Sequence, residues 1–147
     1  MMSTKRRGAK EETPRSEDYL EVVYHLLREK GYANTSDISS RLNVTPPTVS
    51  GMVAKLASRG YIKHERYRGM TLTDVGERVA KSVIKRHSVI AEFLATLGLE
   101  DDIAYEDTEG IEHHVHADTI HRIEKTAEYF RKNPRALKAL RGYIESD

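Results

Sequence analysis

The chain has no cysteine among its 147 residues. Disulfides and thiolate metal ligands are therefore both excluded, and any metal site must be built from carboxylates and imidazoles. No apolar run approaches the roughly 20 residues that cross a bilayer. The opening stretch MMSTKRRGAKEETPR is basic and polar and lacks the apolar core of a signal peptide. There is no H-E-x-x-H spacing, no phosphate-binding glycine loop and no candidate nucleophile, which argues against a metal-dependent hydrolase or any other enzyme. The expectation is a cytoplasmic protein with no membrane partner and no small organic substrate. Its length fits one ordinary domain, or two small ones sharing a core.

Charge of one sign is also missing locally. Residues 41–73 hold Arg41, Lys55, Arg59, Lys63, Arg66 and Arg68 against the single acid Glu65. Residues 100–121 hold Glu100, Asp101, Asp102, Glu106, Asp107, Glu109, Glu112 and Asp118 with no lysine or arginine. The overall net charge of +1 hides this division. A basic block suits phosphate, and an acidic block rich in histidine suits a cation, although most charge runs are only solvated faces.

The apolar residues that are present place the elements. Residues 13–30 read as a helix, with Thr13-Pro14 as N-cap and N1 proline, Gly31 as stop, and Tyr19, Leu20, Val23, Leu26 and Leu27 at helical period. A second helix runs from about Thr35 to Leu42, and Asn43 turns the chain. Thr45-Pro46 caps a third helix through Ser58, with Val49, Met52, Val53 and Leu56 as its stripe. Two short helices around a tight turn match helix-turn-helix spacing. Tyr61-Ile62 and Met70-Thr71-Leu72 then read as two strands around a basic turn, a wing, and Thr73 caps the next helix. On this reading residues 46–58 enter a major groove through Thr45, Pro46, Pro47, Thr48, Ser50 and Lys55. Arg66 and Arg68 on the wing hold backbone or minor groove.

Residues 74–97 read as one long helix with a stripe of Val75, Val79, Val83, Ile90, Leu94 and Leu97. His87 falls on or near that face, where a lone histidine is more often a hydrogen-bonded core residue than a ligand. A further helix is expected over 106–115. There Glu109, Glu112 and His113 stand at i, i+3 and i+4 and point the same way, while His114 points elsewhere and His116 lies near the helix end. Residues 117–131 are amphipathic, and Asn133-Pro134 opens a last helix carrying Leu137, Leu140 and Ile144. These later stripes exceed what a small helical unit can hide, which suggests a dimer interface. Asp18 and Glu21 form another i, i+3 carboxylate pair, in itself commonplace.

The segments SEDYLEVVY, RLNVTPPTVSGMVAKLASRGYI, YRGMTLT, RH at 86–87 and EGIEHHV resemble the diphtheria-toxin-repressor family of metal-activated bacterial repressors, in its manganese-responsive branch. The likeness runs from about residue 16 to 131 with motif order intact. It implies a mainly α fold: a winged helix-turn-helix domain over 13–73, then an all-helical linker, metal-binding and dimerisation domain over 74–147. Residues 1–12 form a basic extension expected to be disordered. The resemblance further implies that Asp18, Glu21, His87, Glu109, Glu112 and His113 are metal ligands. The iron-responsive branch places sulfur ligands at the positions of Asp18 and Glu109, where this chain has carboxylates, so Mn²⁺ is implied. Four carboxylates are neutralised by two divalent cations, which gives two ions per subunit. The implied partner is a palindromic operator in double-stranded DNA, bound by a homodimer to repress metal-uptake genes. Two rivals stay open: an iron- or zinc-responsive regulator of the same family, and a winged-helix regulator not controlled by metal.

Overall fold

The structure, a computed structural model, describes residues 14–146. The basic extension 1–12 and Thr13 lie outside the described residues. Helix α1 (Ser16–Lys30) starts later than the sequence suggested, with Arg15 at the N-cap position. The Asp18 carboxylate accepts the Arg15 N–H at 2.6 Å, so a third-position acid does the capping expected of Thr13. Gly31 ends the helix at φ +79°, and its N–H donates to the Leu27 carbonyl. In α2 (Thr35–Leu42) the Asn34 side chain accepts the Asp37 N–H at 2.8 Å, and Asn43 leaves in the left-handed region. Helix α3 (Pro46–Ser58) has Thr45 at its N-cap and prolines in its first turn, where missing N–H groups cost nothing.

Strands β1 (Ile62–Glu65) and β2 (Gly69–Leu72) pair antiparallel, from Ile62 opposite Leu72 to Glu65 opposite Gly69. The first strand runs three residues beyond the expected Tyr61-Ile62. Only Ile62 in it is buried, so hydrophobicity gave no sign of its polar end. Ala33 adds a short parallel rung against Gly69. Tyr19, Leu20, Val23, Leu26, Ile38, Val49, Val53, Leu56, Ile62 and Met70 form the core of this winged helix-turn-helix. Its apolar burial, at roughly 1.5–3 kcal/mol per large side chain, is what holds three short helices on a two-stranded sheet.

Helix α4 (Asp74–Thr96) follows, with the Thr73 hydroxyl accepting the Gly76 N–H at 3.1 Å. A Cβ on Gly76 would lie 2.0 Å from the Tyr61 carbonyl oxygen, so this glycine lets the helix start against the hairpin. Val75, expected in the stripe, is exposed for the same reason: the contacting face passes through Gly76 and Ala80 instead.

The chain divides into two compact units between Ala80 and Lys81, inside α4. The second contains the rest of α4, α5 (Asp101–Ile111), α6 (Ala117–Lys132) and α7 (Pro134–Glu145). Its core is Val89, Ile90, Leu94, Ala104 and Ile120, with Phe93, Leu97, Val115 and Ile123 packed against it. Helix α5 lies earlier than the expected 106–115. Glu100 occupies its N-cap and Asp101 and Asp102 its first turn, acids that favour the positive end of a helix dipole. The Arg141 guanidinium donates to the Thr96 and Ala95 carbonyls at 3.1 and 2.9 Å and so ties α7 to the end of α4. No residue of α7 is buried, and Tyr143 is 81% exposed. Among the described residues no helix is long and apolar enough to cross a membrane.

Candidate metal centre and nucleic-acid interface

In the second unit, α4 and the end of α5 bring four of the expected ligands together. His87 follows Val83 by one turn and is half-buried. Glu109 lies in the last turn of α5, and Glu112 is its C-cap, still in helical conformation with its N–H on the Thr108 carbonyl. The Thr108 side chain is itself buried, its hydroxyl donating to Ala104 O at 2.6 Å. His113 follows in a turn closed by the His114 N–H to Ile111 O. The three residues therefore share a side because the last helical turn persists through Glu112, not because a helix runs on to residue 115.

Glu112 is the centre of the group. It is 1% exposed. One carboxylate oxygen lies 2.8 Å from His87 Nδ1 and the other 3.3 Å from His113 Nε2. Glu109 Oε1 reaches the same His87 nitrogen at 3.3 Å. Burial pushes the Glu112 carboxyl above the ordinary glutamate range, the Glu109 carboxylate adds to the shift, and His87 opposes it. Both acids also sit at the negative end of the α5 dipole, the wrong end for an anion. A buried carboxylate needs compensating charge. Donor atoms of His87, Glu109 and Glu112 lie within 4.8 Å of one another, a spacing that fits a cation. Oxygen and imidazole donors suit a divalent metal of the harder kind.

Asp18 and Glu21 stand on α1 in the first unit, Asp18 engaged in the helix cap and Glu21 3.6 Å from His25 Nε2. His114 and His116 are exposed. Tyr105 was not singled out from the sequence, yet its ring meets His87 edge-on at 6.4 Å between centroids. Its position one helical turn before Glu109 carries that placement.

In the first unit, Thr45, Pro46, Pro47, Thr48, Ser50 and Lys55 are all exposed on or beside α3. The Thr45 and Thr48 hydroxyls pair at 2.8 Å across the helix N-terminus. Arg66 and Arg68 are exposed at the hairpin turn. Arg68 donates to Gly31 O at 3.2 Å and lies 3.4 Å from Glu65, while the Arg66 guanidinium stacks over Tyr67.

Residues 12–70 match the iron dependent repressor N-terminal DNA binding domain, and residues 73–141 match the iron dependent repressor metal binding and dimerisation domain. The chain belongs to the iron-dependent repressor family. Membership makes it a metal-responsive, DNA-binding transcriptional repressor that forms a homodimer, with the mainly α, winged-helix-then-helical architecture read from the sequence. Among curated relatives, the HTH-type transcriptional regulator MntR of Shouchella clausii (strain KSM-K16) is 44% identical over 129 residues, covering 88% of this chain and 90% of the relative. MntR of Oceanobacillus iheyensis is 41% identical over 136 residues, covering 92% of each. Among solved structures, the manganese regulator SloR superposes with a TM-score of 0.72 at 31% identity over 80% of this chain. A manganese-dependent transcriptional repressor in complex with manganese gives 0.67 at 29% identity over 78% of this chain. The chain spans about half the length of those two solved proteins, 55% and 53%.

Proposed function

We propose that this family member is a manganese-responsive repressor of metal-uptake genes, with Asp18, Glu21, His87, Glu109, Glu112 and His113 as its ligands for two ions per subunit. The observation that carries the reading is Glu112, a buried carboxylate whose two oxygens face two different imidazoles. Glu112 would hold metal together with the two imidazoles it faces, and the four acids of the set match the charge of two divalent cations. A bound divalent metal supplies the positive charge that these carboxylates need in order to stay ionised and close together.

The chain's own residues do the rest. Glu112 gives up the proton that burial favours, and with His87 and Glu109 it fixes the end of α5 on α4. Asp18 and Glu21 are the ligands that α1 would contribute, and a metal held by residues of both halves would limit hinge freedom between the DNA-binding and dimerisation halves. In the homodimer the two α3 helices then keep a fixed separation, matched to operator half-sites about 10 bp apart or a multiple of that. The exposed α3 positions Thr45, Pro46, Pro47, Thr48, Ser50 and Lys55 meet the major groove. Linkage requires that DNA tighten metal binding as much as metal tightens DNA binding. Carboxylates at positions 18 and 109 favour Mn²⁺ over an iron-responsive role with sulfur ligands. Calorimetric titration tests this: wild type should take up two Mn²⁺ per chain. Glu112→Ala should lose metal-dependent operator binding while remaining folded. Retained metal-dependent binding in that variant would refute the ligand role.

A further inference from the structure

Between β1 and β2 the chain turns through Arg66, Tyr67 and Arg68. Tyr67 has φ +73°, a left-handed conformation that glycine or asparagine adopts far more readily than a bulky L residue. Its side chain is nonetheless 89% exposed. A strained backbone that presents a large aromatic to solvent points to a use outside the folded unit.

The turn that carries it is pinned. The Ala33 N–H donates to Arg68 O and the Met70 N–H to Ala33 O, both at 3.4 Å. Arg68 Nε donates to Gly31 O at 3.2 Å, at the end of α1. Gly69, at φ +70°, leaves room for this approach, since a Cβ there would lie 2.6 Å from Ala33 O. Glu65, at the end of β1, is paired with Lys63 at 3.3 Å and with Arg68. Arg66 instead stacks on the Tyr67 ring, 5.1 Å from its centroid. Arg68 is thus bound into the fold, and the projecting pair is Tyr67 with Arg66.

We propose that Tyr67 is the wing's DNA-contacting group, its ring lying along the sugar edge of the minor groove and its hydroxyl donating to a phosphate oxygen. Arg66, stacked on the ring, pairs with an adjacent phosphate. Arg68 is a strut that holds the turn against α1 and Ala33. The basic surroundings and the membership of this turn in the DNA-binding domain select nucleic acid as the partner. The proposal rests on the DNA-binding reading of the first unit.

The test uses full-length protein and a duplex recovered by the wild type from a random-sequence pool in the presence of Mn²⁺. Tyr67→Gly and Tyr67→Asn both suit the left-handed backbone, so each should melt no lower than wild type. Each should lose roughly tenfold or more in affinity, a single good contact. Tyr67→Phe, which lacks only the hydroxyl, should lose less. Arg66→Ala should reduce the salt slope by about one, whereas the tyrosine variants leave it nearly unchanged. Wild type should protect minor-groove adenine N3 from methylation beside the α3 contacts, and Tyr67→Gly should not. Wild-type affinity and unchanged adenine protection in both Tyr67→Gly and Tyr67→Asn would overturn the proposal alone. Failure of the wild type to select any duplex would overturn the DNA-binding reading and this proposal with it.

Discussion

Replacing Glu112 with glutamine should move stability in opposite directions with and without metal. Glutamine keeps the volume and a carbonyl acceptor for the 2.8 Å contact with His87 while removing the charge. A hydrogen bond to an ionised group contributes about 1.5–3 kcal/mol. Desolvating a carboxylate costs several kcal/mol. The upward shift of the Glu112 carboxyl shows that the cost wins in the metal-free chain. Glu112→Gln should therefore stabilise metal-free protein by about 1 kcal/mol, which moves Tm by roughly 2–4 °C for a chain of this length. With Mn²⁺ at about a hundred times Kd, wild type should gain around 2.7 kcal/mol by mass action for each ion bound. The variant should gain little, because losing a charged ligand should cost more than the 10–100-fold typical of a ligand's hydrogen-bond partner. Thermal melts of both proteins, each with chelator and with Mn²⁺, measure all four values. A variant less stable than wild type without metal, or equally stabilised by Mn²⁺, would refute the view of Glu112 as a strained ligand.

The advantage of Glu112→Gln should shrink with acid. A carboxyl held above its ordinary range contributes stability that is present at low pH and lost as pH rises through its raised value, so the penalty in wild type fades as pH falls through that raised value. Mn²⁺ affinity should fall over the same window, with proton release visible in titrations run in buffers of different ionisation enthalpy. Gly76→Ala should cost more than about 2 kcal/mol, because its Cβ would meet backbone at Tyr61 O and cannot be accommodated by a side-chain rotation. Unfolding in denaturant checks this, and an unchanged midpoint would show that α4 can shift off the hairpin. Tyr143 and Ile144 leave α7 with exposed apolar groups, so Ile144→Asp should shift the dimer toward monomer in light scattering. An unchanged mass would place the interface elsewhere.

The winged helix was legible in the sequence because its punctuation is local: Gly31, Asn43 and Pro46 each act on their own turn. Helix α3, α2 and the long α4 stand within a residue of the ranges expected. The misplaced boundaries have local causes of another kind. Arg15 replaces Thr13 at the first cap because Asp18 reaches back to its N–H, an interaction that competes with the Thr-Pro signal. Helix α5 begins before the expected residue 106: its first turns are acidic and offer few apolar positions that mark a helical period. The grouping of Glu109, Glu112 and His113 was readable from helical spacing. Their meeting with His87 was not, since it depends on how α5 packs against α4, 25 residues away in sequence from His87 to Glu112. The burial of Glu112 was likewise invisible, because nothing in a string of acids marks which one the fold will cover.

The claim that metal gates DNA binding is tested most directly by operator-binding isotherms of the wild type with chelator, Mn²⁺, Fe²⁺ or Zn²⁺ at one ionic strength. Affinity should rise by at least the 5–150-fold typical of allosteric coupling when Mn²⁺ is added. Equal affinity with chelator and with Mn²⁺ would contradict it.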